Sequence, residues 1–241
     1  SDKHMGNCGE TCAAHFGISR EEQDELSRES YRRAREAPEE GLFAGEIVPV
    51  PVPRRKGDPV NVDRDEEPFK ADLDKMPSLK PAFQKDGTIT AANASKINDG
   101  AAALVLTTAS EAARRGLKPI ARVVAHATAA QEPEWFTTAP IGAIRNALAR
   151  AGLAVSDIDL FEVNEAFAVV AMATIRELAL DPAKVNVRGG AVALGHPIGC
   201  SGARIVVTLL DALTERGGRL GCAAICLGGG EATAIVVERL S

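Results

Sequence analysis

An α/β fold is what the sequence predicts: a mixed sheet covered by helices, with a long irregular loop domain ahead of it. Three observations predict it. Strand-like and helix-like segments alternate from residue 121 onward and close in a hairpin. Seven prolines (Pro49, Pro51, Pro53, Pro59, Pro68, Pro77 and Pro81) fall between residues 42 and 88, a density that excludes long helices there. Hydrophobic residues make up 45% of the 241 but aromatics only 4%, so the core must be built from Ala, Val, Leu and Ile.

Residues 1 to 37 read as two helices. The second opens at Ser19, with Glu21 and Glu22 early and arginines late, the order that suits the helix dipole; Pro38 and Gly41 end it. Irregular structure with short edge strands follows to residue 88, and the compact core is expected from about 89, where Ala, Gly and β-branched residues take over. Strands are expected at 121 to 129, 159 to 163 and 184 to 187 (KVNV), with helices at 140 to 151 and 165 to 179. A helix at 201 to 216 carries apolar residues at 205, 206, 209, 210 and 213, the spacing of a half-buried face. Two strands, CAAICL and ATAIVVERL, finish the chain around Gly228, Gly229 and Gly230.

Bulk properties narrow the function. The net charge of −5 argues against nucleic acid as a partner, and no apolar run is long enough to span a membrane. Five cysteines, an odd and sparse count, fit free thiols in a reducing compartment. The spacing of His4, Cys8, Cys12 and His15 invites a zinc reading. On a helix, residues i, i+4 and i+8 share a face but extend along about 12 Å of axis, so they cannot all reach one ion at about 2 Å.

Three loops carry distinctive polar groups. Asn164-Glu165-Ala166-Phe167-Ala168 stands where a strand turns into a helix, and its Asn is either a cap or an amide donor. In GGAVALGHPIGCSGAR (189 to 204), His196 sits among five glycines and ahead of Pro197, a rigid frame suited to a general base. In Cys226-Leu227-Gly228-Gly229-Gly230 a thiol at a strand end lies beside glycine N–H groups. That setting is expected to lower its pKa and to offer the Gly228 N–H to an oxyanion. Cys222, four residues earlier, reads as a core cysteine.

These motifs, with KHMG (3 to 6), SREEQD (19 to 24) and TAANASKINDGAAALVL (90 to 106), resemble the thiolase family, in its acetyl-CoA C-acetyltransferase form. The resemblance implies an acyltransferase that condenses two acetyl-CoA to acetoacetyl-CoA or runs the reverse thiolysis. In that scheme His196 activates the acyl-accepting cysteine, and Cys226 moves the proton at the bond-forming carbon. Asn164 holds a water that forms one oxyanion hole with His196, and the Gly228 N–H contributes to a second. His4, Met5 and Phe136 would line the acyl pocket. Ser95 would meet the pantetheine arm, and Tyr31, Lys70, Ala71, Asp72 and Lys75 the 3′-phospho-ADP end of CoA. No cofactor is required, but Tyr31, Ala91, Ala92, Ala94 and Val192 match a potassium site of one subgroup. Phe136 matches that subgroup too, whereas Thr137 replaces its usual Pro and Arg188 stands where many relatives have Asn.

The resemblance also sets expectations about organisation. Residues 1–97 would be the CoA-binding loop region, 98–119 a segment closing an N-terminal domain, and 120–241 the C-terminal thiolase domain. Thiolases carry the nucleophilic cysteine ahead of the segment matching His4, in a context none of the five cysteines shares. The expectation is therefore a C-terminal portion, with the N-terminal half absent or supplied as a partner, and inactive alone. Further expectations are acetyl-CoA, acetoacetyl-CoA and CoA as ligands, a homo-oligomer, no nucleic acid or membrane, and a cytoplasmic location, bacterial or in the mitochondrial matrix. A ketosynthase would pair its Cys with two His, and lipid-transfer-linked thiolases replace NEAF with a His motif. The remaining alternative is an inactive CoA-binding or structural subunit.

Overall fold

Helix α1 (Met5–Phe16) is capped by the His4 ring, whose Nδ1 accepts from the Gly6 N–H at 3.1 Å, and it ends at left-handed Gly17. In α2 (Arg20–Glu39) the Ser19 hydroxyl accepts from the Glu22 N–H while the Glu22 carboxylate takes the Ser19 N–H, a closed capping box. The computed structural model describes residues 3–240.

The proline-dense region is irregular, as expected. It holds a short antiparallel ribbon, β1 (Val50–Val52) with β2 (Val60–Val62), one turn of helix, α3 (Glu67–Lys70), and a 3-10 turn over Leu73–Ser78. Beyond it the expectation of a compact core from residue 89 needs correction. Ile89 to Ala94 include buried residues, but the following stretch forms no strand before α4 (Ala109–Arg114) and lies on the surface, with Ile97 98% and Val105 95% exposed.

The main sheet runs β3-β6-β5-β4, built from β3 (Ala121–Ala130), β4 (Leu160–Val163), β5 (Leu220–Leu227) and β6 (Glu231–Arg239). Strand β4 is parallel to β5 and the other pairs are antiparallel, so the sheet is mixed. Alternation assigns its faces. Cys222 and Ala224 of β5 pack with Ile144 and Leu148 of α5 (Ala139–Ala151), whereas Ala223 between them packs with Leu209 and Leu213 of α8 (Ile198–Glu215). Both leucines are fully buried, a gain of about 1.5–3 kcal/mol each. Helix α6 (Ala168–Leu178) packs against both α1 and α2 and joins that helical layer to the sheet.

KVNV does not form a strand. Only Val185 bridges to Phe161, and Asn186 takes a left-handed φ of 48°, which ends the extended run. The left-handed turn is fixed by the Asn186 amide, which accepts from the Val163 N–H and donates to the Val163 carbonyl, both at 2.8 Å. Helix α6 also starts at Ala168 rather than 165, and a single turn, α7 (Ala191–Leu194), precedes His196.

Two glycines separate backbone necessity from tolerance. Gly189 has a φ of +82°, and a Cβ there would stand 2.5 Å from the Ser30 carbonyl of α2. Gly202 lies inside α8, and a Cβ there would meet nothing within 4 Å. Gly189→Ala should therefore cost at least about 1–3 kcal/mol of stability. Gly202→Ala should gain about 0.5–1 kcal/mol. Urea melts of the two variants check this, and equal midpoints would contradict it.

Candidate active site

Strand β4 delivers Asn164 to the end of the sheet, where its N–H donates to the Ala224 carbonyl of β5 at 3.0 Å. The α6 N-cap is Phe167. Asn164 is thus not the cap of that helix. Its amide Nδ2 faces His196 Nε2 at 3.4 Å, and its Oδ1 is buried with no partner among the described residues.

His196 reaches this point because Gly195 turns the chain with a φ of +92°, packed so tightly on Asn98 that a Cβ would lie 2.0 Å from its Oδ1. The ring's Nδ1 lies 2.6 Å from Ser201 Oγ, and that hydroxyl donates its one proton to the Pro197 carbonyl at 3.0 Å. Ser201 Oγ must then accept from Nδ1–H. This leaves the Nε2 lone pair facing the Asn164 amide donor. Burial, aided by the nearby Arg204, lowers the His196 pKa, so the imidazole is a neutral base at pH 7.

Cys226 joins the same neighbourhood from β5. It packs in one buried cluster with Ala94, Phe136, Ala166 and Phe167. The expectation of a lowered thiol pKa is corrected here: burial pushes Cys226 up to about 12, outweighing its backbone hydrogen bond. The glycines after it shape a turn but do not expose the sulfur enough to ionise it. Gly228 opens that turn, and a Cβ added there would meet the Met5 thioether at 3.7 Å. Phe136 and Met5 thus converge on Cys226 and Gly228, and His4 stacks at 4.9 Å on Phe83, which packs against the same cluster.

The residues expected at CoA divide. Lys70, Asp72 and Lys75 are exposed, Ala71 is half-buried, and the two lysines pair with nearby carboxylates: Lys70 with Glu66 and Glu67, Lys75 with Asp72 at 2.9 Å. Ser95 is half-buried and its N–H donates to the Ala166 carbonyl at 3.1 Å, which ties it to the Asn164 loop. Tyr31 does not belong with them. It is fully buried in the core between α2 and α7, so the expectation that it touches CoA is corrected.

The potassium expectation meets a direct conflict. The Lys96 ammonium lies 2.8 Å from the Val192 carbonyl and 3.4 Å from that of Ala94, and it hydrogen-bonds the Tyr31 hydroxyl. Three of the five expected ion ligands are therefore turned onto a side-chain cation, while Ala91 is exposed. The residues present do not fit a potassium ion while Lys96 occupies that position.

Sequence reasoning missed Ser201, Lys96 and Glu165. The Glu165 carboxylate, buried, accepts from Ser30 Oγ at 2.8 Å, Asn186 Nδ2 at 2.9 Å and the Val192 N–H at 3.2 Å. A buried acid directly after the candidate Asn was the available signal for Glu165. For Ser201 the signal was a hydroxyl one helical turn after Pro197.

Residues 117–239 match the family model described as thiolase, C-terminal domain, and residues 1–110 that described as thiolase, N-terminal domain. The second match overturns the expectation of a C-terminal portion only, with the N-terminal domain wholly absent: the first 110 residues match N-terminal-domain sequence. A probable acetyl-CoA acetyltransferase of Dictyostelium discoideum is 53% identical over 98% of this chain and 57% of its own. The mitochondrial acetyl-CoA acetyltransferase of Rattus norvegicus is 53% identical over 98% of this chain and 56% of its own. Among solved structures, the Bacillus anthracis acetyl-CoA acetyltransferase superposes with a TM-score of 0.96 at 44% identity, over 99% of this chain and 60% of that one. An Ascaris suum thiolase in complex with coenzyme A gives 0.93 at 51% identity, with the same coverage. The chain thus spans somewhat under two thirds of the length of these relatives.

Two outcomes test the geometry without any substrate. In nitrogen NMR spectra His196 should show the proton on Nδ1, and Ser201→Ala should yield a mixture of tautomers; an unchanged tautomer would remove Ser201 from the site. Because the folded His196 pKa lies below the unfolded value of about 6.5, the unfolded state binds the extra proton first. Stability is then full above about pH 6.5 and falls as pH drops towards the folded pKa. His196→Asn should flatten that part of the stability profile, and an unaltered profile would contradict the assignment.

Proposed function

The chain belongs to the thiolase family, and on that premise we propose that His196, Asn164 and Cys226 form the proton-handling part of a site for acyl transfer between coenzyme A thioesters. The reaction is the condensation of two acetyl-CoA to acetoacetyl-CoA, or its thiolytic reverse. One observation carries the proposal: His196 Nδ1 lies 2.6 Å from Ser201 Oγ while Nε2 faces the Asn164 amide nitrogen at 3.4 Å, an arrangement that suits a neutral imidazole with its lone pair on Nε2. A base in that state can take a thiol proton, and an amide donor beside it can orient a water towards a thioester oxygen.

The chemistry asks for these parts. An α-proton of a thioester is weakly acidic, so forming the carbon nucleophile needs a base at the carbon and donors at the oxygen. In the proposal Cys226 exchanges that proton, and the Gly228 N–H supports the oxyanion on its side. Phe136 packs in the cluster of Cys226 and Met5 lies beside Gly228, and the acetyl-CoA acetyltransferase names of the relatives point to acetyl thioesters as the substrate class. Lys70, Ala71, Asp72 and Lys75 remain the proposed contacts of the nucleotide end, and Ser95 that of the pantetheine arm.

A second reading, a CoA-binding subunit without its own acyl acceptor, is favoured by the thiols. Burial raises the pKa of all five, to about 11 for Cys12 and about 12 for Cys222 and Cys226. We therefore assign the acyl-accepting thiolate to none of these five cysteines.

Two experiments separate the readings. In active enzyme, His196→Ala and Cys226→Ala should each lower turnover by at least about 10²-fold, the first by blocking acyl-enzyme formation, the second by blocking carbon–carbon bond chemistry while acylation continues. Equal, normal acylation in both variants would sink the roles. The 241-residue polypeptide, incubated with radiolabelled acetoacetyl-CoA and CoA, should trap no acyl group on its own cysteines. A label on any of the five would overturn that assignment.

A further inference from the structure

Lys96 lies in a loop rich in small and polar residues, where a lysine would ordinarily reach into water. Its side chain instead turns inward. The ammonium donates to the Val192 carbonyl at 2.8 Å and to the Tyr31 hydroxyl, lies 3.4 Å from the Ala94 carbonyl, and sits 4.8 Å from the centre of the Tyr31 ring. A phenol oxygen, two carbonyls and an aromatic face all present negative potential to one point, which is a cage for a monovalent cation.

The backbone of the same residue makes a second connection. The Lys96 carbonyl accepts from the His196 N–H at 2.8 Å. One residue therefore grips both ends of the turn from Val192 to His196, with its ammonium at the start and its carbonyl at the end. Between these grips Gly195 is pressed against Asn98, so the turn has little room to shift.

We propose that Lys96 is a positioning residue, whose tethered ammonium takes the place of a bound monovalent cation in the Tyr31–Ala94–Val192 cage and thereby fixes the turn that presents His196. Although burial lowers the Lys96 pKa to about 8, with Glu67 and Glu165 opposing the shift, the amine stays mainly protonated at pH 7. A covalently attached cation costs no binding entropy beyond that of its own side chain, so the cage is filled at any salt composition. The significance of the turn rests on the proposed role of His196; the cage itself does not.

The test reads stability and the state of His196 rather than turnover, so it stands or fails apart from the acyl-transfer proposal. The protein and two variants are melted in KCl and in NaCl at equal ionic strength, and the His196 imidazole signals are recorded by NMR. The unaltered protein should give the same Tm in both salts. Lys96→Thr, which empties the cage, should lose about 5 °C in NaCl and recover part of it in KCl, with the His196 signals shifting and returning in step. Lys96→Met, which fills the space without charge, should lose Tm in both salts alike. A Tm for the unaltered protein that rises in KCl over NaCl would overturn the proposal, because the cage would still take an ion. So would a Met variant with unaltered Tm and His196 signals, or a Thr variant that KCl does not restore. Should either variant fail to fold, a rise in the Tm of the unaltered protein in KCl over NaCl would still overturn the proposal, and the variant that folds carries the positive test.

Discussion

The buried Glu165 carboxylate is the constraint on which the rest of the site depends. A carboxylate removed from water costs several kcal/mol unless its oxygens are satisfied, and here the donors come from three separate parts of the chain. Ser30 belongs to α2, Asn186 to the left-handed turn, and the Val192 N–H to α7. Each donor is itself committed: Ser30 Oγ also accepts from the Gly190 N–H at 2.9 Å, and the Asn186 amide completes the edge of β4 at Val163. Moving any one segment would leave a charge or an amide unpaired, so α2, the 186–190 turn and α7 are held in one arrangement. Asn164 precedes Glu165 directly and inherits that precision. Gly190 is small because the carboxylate needs the room: a Cβ there would lie 2.2 Å from the Glu165 carboxyl carbon.

Lys96 answers that negative charge across the same small volume. The two groups share Val192, which donates its N–H to Glu165 and offers its carbonyl to Lys96. A single peptide turn is thus polarised along its length, with an anion at the donor end and a cation at the acceptor end. This favours its hydrogen bonds at both ends. His196 follows four residues later and remains neutral because burial, aided by Arg204, disfavours its charged form. A neutral imidazole is the form that general-base work requires.

What was legible in the sequence was the placement of loops, because glycine and proline mark them without reference to tertiary contacts. The His196 and Cys226 loops and the final hairpin were readable in that way; the Asn164 loop showed only as a strand-to-helix change, and the start of α2 through Ser19 and its early glutamates. KVNV misled because strand propensity ignores the Asn186 side chain, which pairs with Val163 only after β4 is in place. Lys96 was missed because nothing local reveals that Tyr31, sixty-five positions earlier, will stand beside it. Tyr31 itself was assigned to CoA from its place in a pattern, and only packing shows it sealed inside. The Cys226 error has the same root: nearby glycines suggested an activated thiol, whereas the ionisation is decided by Phe136, Phe167 and other neighbours from distant segments.

That burial gives the site its chemical logic. A thiol held near pKa 12 is a poor base in the resting state and becomes one only when a proton acceptor is placed against it. A thioester bound between Cys226 and Gly228 would bring its developing oxyanion next to backbone donors. In a volume walled by Phe136 and Phe167, each such hydrogen bond is worth more than it would be in water. The same exclusion of water that raises the thiol therefore strengthens the interactions able to lower the barrier for its proton transfer. An exposed, ionised Cys226 would abstract protons more readily at rest, but it would meet the enolate in a solvent that stabilises it less and reprotonates it. On the proposed chemistry, the buried thiol and the neutral His196 are two consequences of one environment, in which charge would be created only once substrate is present to share it.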